Sequence, residues 1–246
     1  QLVTPQTPGV KEIKKWHARV GHGSGAALMH LPEVTIGVKG PFKERLVDMV
    51  RGECETCPLS RLKKAPSKKH RGEGQLAKEY GECIHMDLAG PMPESIMHGY
   101  RYVSLFIDEY TLFITVYFTT HKAKQRALHA RYVADMAPVG GRTIKKFHSD
   151  NGGEYIQKEY LKDIQNAGAA RTFNVPYNPN NNPIAEATFW RLFSVARAMM
   201  IHAGLPEGHW AMAIFHASYI LNRRPTYRIT KESGMEKTWT TPYTLL

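Results

Sequence analysis

The sequence has no apolar run approaching the roughly 20 residues that a bilayer-spanning helix needs, which excludes a transmembrane helix. Its opening residues lack the charged, apolar and small-residue succession of a secretory signal. Cysteine is scarce: Cys54, Cys57 and Cys83 are the only three in 246 residues. An odd, low count containing a Cys-x-x-Cys pair argues against a disulfide scaffold and for a metal site or a reducing compartment. Acidic residues are also few. The 22 Asp and Glu stand against 33 Lys and Arg, giving a net charge of +11. That imbalance points to a polyanionic partner, nucleic acid first. No internal repeat is present. The chain opens on Gln1 rather than Met, as a piece cut from a longer polypeptide would. What remains is an ordinary globular composition, 42% hydrophobic, long enough for one large domain or a core plus a small module.

The chain divides by pattern into three parts. Residues 1–60 form a small unit, with Trp16-His17-Ala18-Arg19-Val20-Gly21-His22 leading into a helical stretch at Gly25–Leu31 and Cys54-Glu55-Thr56-Cys57 closing it. Residues 61–79 form a basic linker, broken by Pro66, Gly72 and Gly74. Its lysines, Lys63, Lys64, Lys68 and Lys69, read either as a solvated tether or as a strip on a phosphate backbone. Residues 80–246 carry alternating elements: strands at His85–Leu88, Tyr100–Asp108, Phe113–Thr119, Thr143–Phe147 and Arg171–Val175. Helices are expected at Lys122–Met136, with Ala127, Ala130, Val133 and Ala134 on one side, and at Glu154–Ala167, Ile184–His202 and Pro206–Asn222. Between them, 176–183 is all turn chemistry. This order predicts an α/β domain with a mixed five-stranded sheet flanked by helices.

Two constellations carry chemistry. His17-x4-His22 with Cys54-x2-Cys57 offers two imidazoles and two thiolates, the donor set of a closed tetrahedral Zn²⁺ site. A unit this small buries little core, so the ion would supply folding energy. The competing reading is unrelated surface histidines and an inert or redox cysteine pair. His30 and Cys83 read as packing residues. The second constellation is Asp87 at the end of an apolar strand, Asp150 after the fourth strand and Glu186 opening the long helix. Converging carboxylates favour hard cations, Mg²⁺ or Mn²⁺, and such metals serve phosphoryl transfer. Singly, each acid also reads as a turn or helix-start residue. Lys145, Lys146, Arg191 and Arg197 are candidate phosphate contacts, with solvated faces as the alternative.

The motifs Trp-His-Ala-Arg-Val-Gly-His, Cys-Glu-Thr-Cys, His85-Met86-Asp87-Leu88-Ala89-Gly90-Pro91-Met92, Phe106-Ile107-Asp108-Glu109-Tyr110-Thr111, Ser149-Asp150-Asn151-Gly152-Gly153-Glu154-Tyr155, Val175-Pro176-Tyr177-Asn178-Pro179 and Ala185-Glu186 occur together. With Ala203-Gly204-Leu205-Pro206 and Trp210 they make the chain similar to the integrases of copia-type LTR retrotransposons, and more broadly to retroviral-type integrases. The resemblance implies a zinc-binding amino-terminal domain at 1–60, a linker at 61–79 and an RNase H-like catalytic core at 80–246. It implies Asp87, Asp150 and Glu186 as the catalytic, Mg²⁺-binding triad, and His17, His22, Cys54 and Cys57 as zinc ligands. Asp108 and Glu109 match paired acids outside the catalytic set. The implied activity is polynucleotidyl transfer: Mg²⁺-dependent 3′-end processing and strand transfer of element DNA into target DNA. Implied partners are double-stranded DNA and further copies of the chain, with action in the nucleus after a cytoplasmic assembly stage. Relatives also carry a carboxyl-terminal portion with no counterpart here. Two other readings share these residues: a catalytically decayed DNA-binding protein, and an RNase H-fold nuclease without strand transfer.

The chain departs from the family pattern near the glutamate. Asn181-Asn182-Pro183 replaces Gln-Asn-Gly, which predicts a stiffer loop, since Pro fixes φ where Gly leaves it free. Ala187 stands where Arg is usual, and Thr188-Phe189-Trp190 replaces a more polar stretch. At helical spacing Trp190 and Phe193 share a face with Glu186, for base stacking or for core and dimer packing.

Overall fold

The structure, a computed structural model, describes residues 8–40, 42–60, 77–136, 139, 143–150, 158–166, 168–173, 182–230 and 236–246. Five helices come first: α1 (Pro8–Arg19), α2 (Gly25–Met29), α3 (Leu31–Val34), α4 (Glu44–Gly52) and α5 (Thr56–Ser60). The sequence reading assigned no helix to α1 or α4. Yet Val10, Ile13 and Val20 recur at helical spacing and meet Leu28, Leu31, Val47 and Val50 in one apolar cluster. Ser24 caps α2 by accepting from the Ala27 N–H at 3.2 Å.

The sheet holds five strands, β1 (Ile84–Ala89), β2 (Tyr102–Asp108), β3 (Ile114–Thr119), β4 (Lys146–Ser149) and β5 (Ala170–Phe173), in the order β3-β2-β1-β4-β5. β1, β2 and β3 pair antiparallel, whereas β4 pairs parallel with β1 and β5. The mixed sheet expected from the element order is therefore present. Alternation divides β2 between two cores. Val103, Leu105 and Ile107 face α8 (Pro183–Ala203) and α9 (Trp210–Arg223), while Phe106 faces α6 (Gln125–Met136) and α7 (Lys158–Asn166). The Phe106 ring is fully buried and stacks on Tyr132 with centroids 4.3 Å apart. Burying such a side chain contributes about 1.5–3 kcal/mol.

Several expectations are corrected. The helix expected from Lys122 starts as a 3-10 turn at Lys122–Lys124. Its buried face is Gln125, His129, Tyr132 and Met136, not the alanine side: Ala127, Ala130 and Ala134 are exposed and Val133 is half-buried. Large side chains gain more from burial than alanine, so they set the rotation of the helix. The fourth strand runs Lys146–Ser149, later than the expected Thr143–Phe147. The start of the expected helix at 154–157, the linker lysines Lys63, Lys64, Lys68 and Lys69, and the loop at 174–181 lie outside the described residues. Pro183 is the first residue of α8, where its fixed φ and missing N–H suit a helix start. The turn-rich sequence after α9 concealed a hairpin, β6 (Thr226–Thr230) with β7 (Glu236–Thr240), and α10 (Pro242–Leu245). Trp239 of this hairpin stacks on His30 at 4.3 Å, so the carboxyl-terminal hairpin leans on the amino-terminal helices.

The amino-terminal helices also dock on α8 and α9. Gly21, at φ +64°, sits so close to them that an added Cβ would lie 2.6 Å from Val195 Cγ1. Nearby, the Arg197 guanidinium donates to the Ser60 carbonyl at 3.3 Å.

Candidate active site and metal centre

The turn after α1 and the start of α5 bring His17, His22, Cys54 and Cys57 together. One ligand atom from each lies within 4.8 Å of all the others. His17 Nε2 is 3.2 Å from Cys57 Sγ, and His22 Nδ1 is 3.4 Å from Cys54 Sγ and 3.8 Å from Cys57 Sγ. Zinc–sulfur and zinc–nitrogen bonds at a tetrahedral angle put neighbouring N and S atoms about 3.5 Å apart. Chemistry, spacing and burial of this donor set therefore fit zinc. Gly21 and His22 both have positive φ, 64° and 55°, and this turn aims the second imidazole back at the cysteines. His202 of α8 meets the His22 ring edge-on at 5.3 Å.

The three carboxylates come from three elements: Asp87 from the central strand β1, Asp150 from the residue after β4, and Glu186 from the first turn of α8. Ile84 pairs with Phe147 and His85 with His148, so β1 and β4 run parallel, and Asp87 and Asp150 each follow the second pair by two residues. The His85 and His148 rings, on the matching face, are 5.2 Å apart. Asp87 is half-buried at the end of β1, with its Oδ1 accepting from the Leu88 N–H at 2.8 Å. Asp150 is exposed just past β4, and Glu186 is exposed in the first turn of α8. Their oxygens do not form a three-ligand cluster of the tightness seen at the cysteines. Like charges oppose such convergence until a cation bridges them. As hard oxygen donors on neighbouring elements, the three fit Mg²⁺ or Mn²⁺ in chemical kind.

Asp108 and Glu109 take other work, in keeping with their exclusion from the site. Asp108 accepts from the N–H groups of Gly81 and Thr111 and from the Thr111 hydroxyl. Burial nonetheless raises its carboxyl above the usual range. Glu109 reaches His85, Oε2 to Nε2 at 2.9 Å. Cys83, expected as a simple buried hydrophobe, is buried but belongs to this polar group, its Sγ 3.8 Å from the same Nε2. Sequence reasoning passed over His85 as an anonymous strand residue. Its spacing two before Asp87 was the available signal, since both then face one side.

The candidate phosphate contacts separate in the structure. Arg197 is engaged with Ser60, and Lys145 Nζ pairs with Glu79 at 2.6 Å. The Arg191 guanidinium bonds the Ala187 carbonyl and the Thr188 hydroxyl of its own helix, and Lys146 is half-buried. Phe193 packs half-buried against the α8–α9 core and stacks on Phe189 at 5.6 Å. Trp190 does not join it. At 47% exposure it stands in solvent one turn beyond Glu186, because its neighbours Phe189 and Leu192 hold the buried side. No helix among the described residues is long and apolar enough to cross a membrane.

Residues 77–179 match the integrase core domain family. The retrovirus-related Pol polyprotein from transposon TNT 1-94 of Nicotiana tabacum is 28% identical over 236 residues, 93% of this chain. That from transposon RE1 of Arabidopsis thaliana is 25% identical over 224 residues, 90% of this chain. The chain spans only 16% and 14% of those two polyproteins. Among solved structures, the simian T-cell lymphotropic virus intasome in complex with PP2A regulatory subunit B56 gamma has a chain superposing with a TM-score of 0.53. The match is 16% identical and covers 95% of this chain and 73% of that one. That likeness establishes the fold, an RNase H-like sheet preceded by a small helical unit. Residues 77–179 match the integrase core domain family, and the chain is similar to the Pol polyproteins of these transposons, in line with the resemblance to copia-type integrases.

Proposed function

We propose that the chain catalyses phosphoryl transfer on double-stranded DNA, processing element 3′ ends and joining them to target DNA. What supports this reading is that Asp87 on β1 and Asp150 just past β4 come from two adjacent parallel strands within the segment that matches the integrase core domain family, with Glu186 following that segment in the first turn of α8. Mg²⁺ or Mn²⁺ held by these three carboxylates would activate the attacking oxygen and stabilise the leaving one. The rest of the chain supplies position and charge. Asp87 is set by its strand, Asp150 by the end of β4 and Glu186 by the start of α8, so the reacting phosphate would be held where three elements meet. A net charge of +11 draws in the DNA backbone. Trp190 is placed to stack on an unpaired base beside the site.

Residues 1–60 form a zinc-bearing unit in this proposal, 61–79 a basic linker and 80–246 the catalytic core, with His17, His22, Cys54 and Cys57 as zinc ligands. The chain would act in multiple copies and in the nucleus. Exposed Met212, Phe215 and Tyr219 recur along one face of α9, an apolar surface of the kind association covers.

The test is joining of a labelled duplex, its end copying an LTR retrotransposon terminus, to plasmid DNA in Mg²⁺, with wild type beside Glu186→Gln. Joining that disappears in the variant supports the proposal. Equal DNA binding by both without joining by either favours a binding protein, and plasmid nicking without joining favours a nuclease.

A further inference from the structure

Just before the first residue of α8 a capping opportunity is given up. Asn182 occupies the N-cap position, where an Asn side chain ordinarily accepts from the helix's own first N–H groups for about 1 kcal/mol. It makes no such bond. Both of its polar atoms instead reach β1: Nδ2 donates to the Met86 carbonyl at 3.0 Å, and Oδ1 lies 2.9 Å from His85 Nδ1. With Nδ2 committed to a carbonyl, Oδ1 accepts and His85 Nδ1 donates. The other ring nitrogen of His85 meets Glu109 at 2.9 Å, and the Glu109 N–H is tied to the Cys83 carbonyl at 2.9 Å. His85, Glu109 and Asn182 are all buried, His85 to 1% exposure. A buried polar group of this kind rigidifies only when its bonds are made, and the His85–Glu109 bond is made by one proton held between Nε2 and Oε2.

The arrangement links two of the proposed catalytic carboxylates. Met86, which receives Asn182, immediately precedes Asp87. The Asn182 carbonyl in turn receives the Glu186 N–H at 3.1 Å, the opening bond of α8. We infer that Asn182, oriented by the His85–Glu109 pair, is a positioning residue that fixes the Glu186 end of α8 at the Asp87 end of β1. The inference rests on the proposed roles of Asp87 and Glu186. Capping energy is forgone to hold a distance between strand and helix, which helix stability alone does not require.

The zinc-loaded chain tests it as wild type, Asn182→Ala, Asn182→Asp and Glu186→Gln. The readouts are Mn²⁺ affinity by water-proton relaxation, joining or nicking rates in Mg²⁺ and in Mn²⁺, and melting temperature. Outer partners of metal ligands are typically worth ten- to a hundredfold in affinity or activity. Asn182→Ala should therefore weaken Mn²⁺ binding by about tenfold or more. It should lower kcat more in Mg²⁺ than in Mn²⁺, because Mg²⁺ demands near-ideal octahedral geometry. DNA affinity should stay unchanged. Asn182→Asp keeps the acceptor for His85 and should recover part of the loss. Mn²⁺ affinity and Mg²⁺-to-Mn²⁺ ratio as in wild type for Asn182→Ala, with both altered in Glu186→Gln, would overturn the inference and leave the site proposal standing. No change in Glu186→Gln would overturn both. A second zinc equivalent that is lost in Cys83→Ser would make Cys83, His85 and Glu109 a metal centre and also overturn it.

Discussion

The amino-terminal His/Cys cluster and the carboxylates Asp87, Asp150 and Glu186 are both sets of candidate metal ligands, built in opposite ways. His17, His22 and Cys57 are buried and mutually within bonding range, and the helices carrying them have only a small apolar cluster besides. Asp150 and Glu186 are exposed, and the elements carrying them are held by two large cores that do not depend on the acids. The difference separates a closed site, whose ion is part of the fold, from an open one that can exchange ligands and admit a substrate. Losing the first should cost structure, and losing the second should cost only chemistry.

The largest expected effect follows from removing metal. Chelation, or Cys57→Ser, should unfold α1 to α5, because structural zinc sites contribute on the order of 10 kcal/mol to small units. Far-UV circular dichroism and protease sensitivity should show that loss while the sheet persists. An amino-terminal unit that stays protected without metal would break the comparison.

Asp150→Asn should reduce any Mg²⁺-dependent joining more than about a hundredfold, since groups one step removed from a metal already cost ten- to a hundredfold. Its exposed position predicts a melting temperature within a degree or two of wild type. A large drop in melting temperature would give Asp150 a role in the fold.

Acidification should destabilise the core through a buried histidine. Burial, and then the nearby Arg171 charge, lower the His129 imidazole from 6.5 to about 4. The ring packs edge-on to Phe147 and Tyr160. The unfolded chain binds this proton first, so the contribution is fully present above about pH 6.5. It is lost as pH falls towards 4. The full shift corresponds to about 3 kcal/mol. Urea unfolding between pH 7 and 4 should show the decline, and His129→Leu should flatten it.

The smallest effect concerns the join between the two regions. Gly21→Ala adds a Cβ against Val195 at a positive φ, which should loosen the amino-terminal helices from α8 by about 1–2 kcal/mol. Faster amide exchange in α5 and around Val195, with the sheet unchanged, is the measurable sign.

Much of this was legible because local chemistry repeats in sequence. The β1–β3 meander announces itself by apolar, β-rich runs at Tyr102–Asp108 and Ile114–Thr119, and α8 by its length and the Gly204 that follows it. The Cys-x-x-Cys pair and the two histidines were visible as a donor set. The buried side of α6 was not, because alanine spacing and large-residue spacing compete on one helix and only packing against Phe106 and Phe147 decides between them.

The sequence by itself determined the order of elements, the charge, the donor types and the family resemblance, since each depends on residue identity and short spacing. Tertiary structure alone decided the parallel register of β1 with β4, the docking of Gly21 on α8 and the exposure of Trp190. It also decided the turning of Asn182 away from its own helix onto His85, 97 residues earlier. Those outcomes depend on which distant surfaces meet, and a single chain read in order does not contain that information.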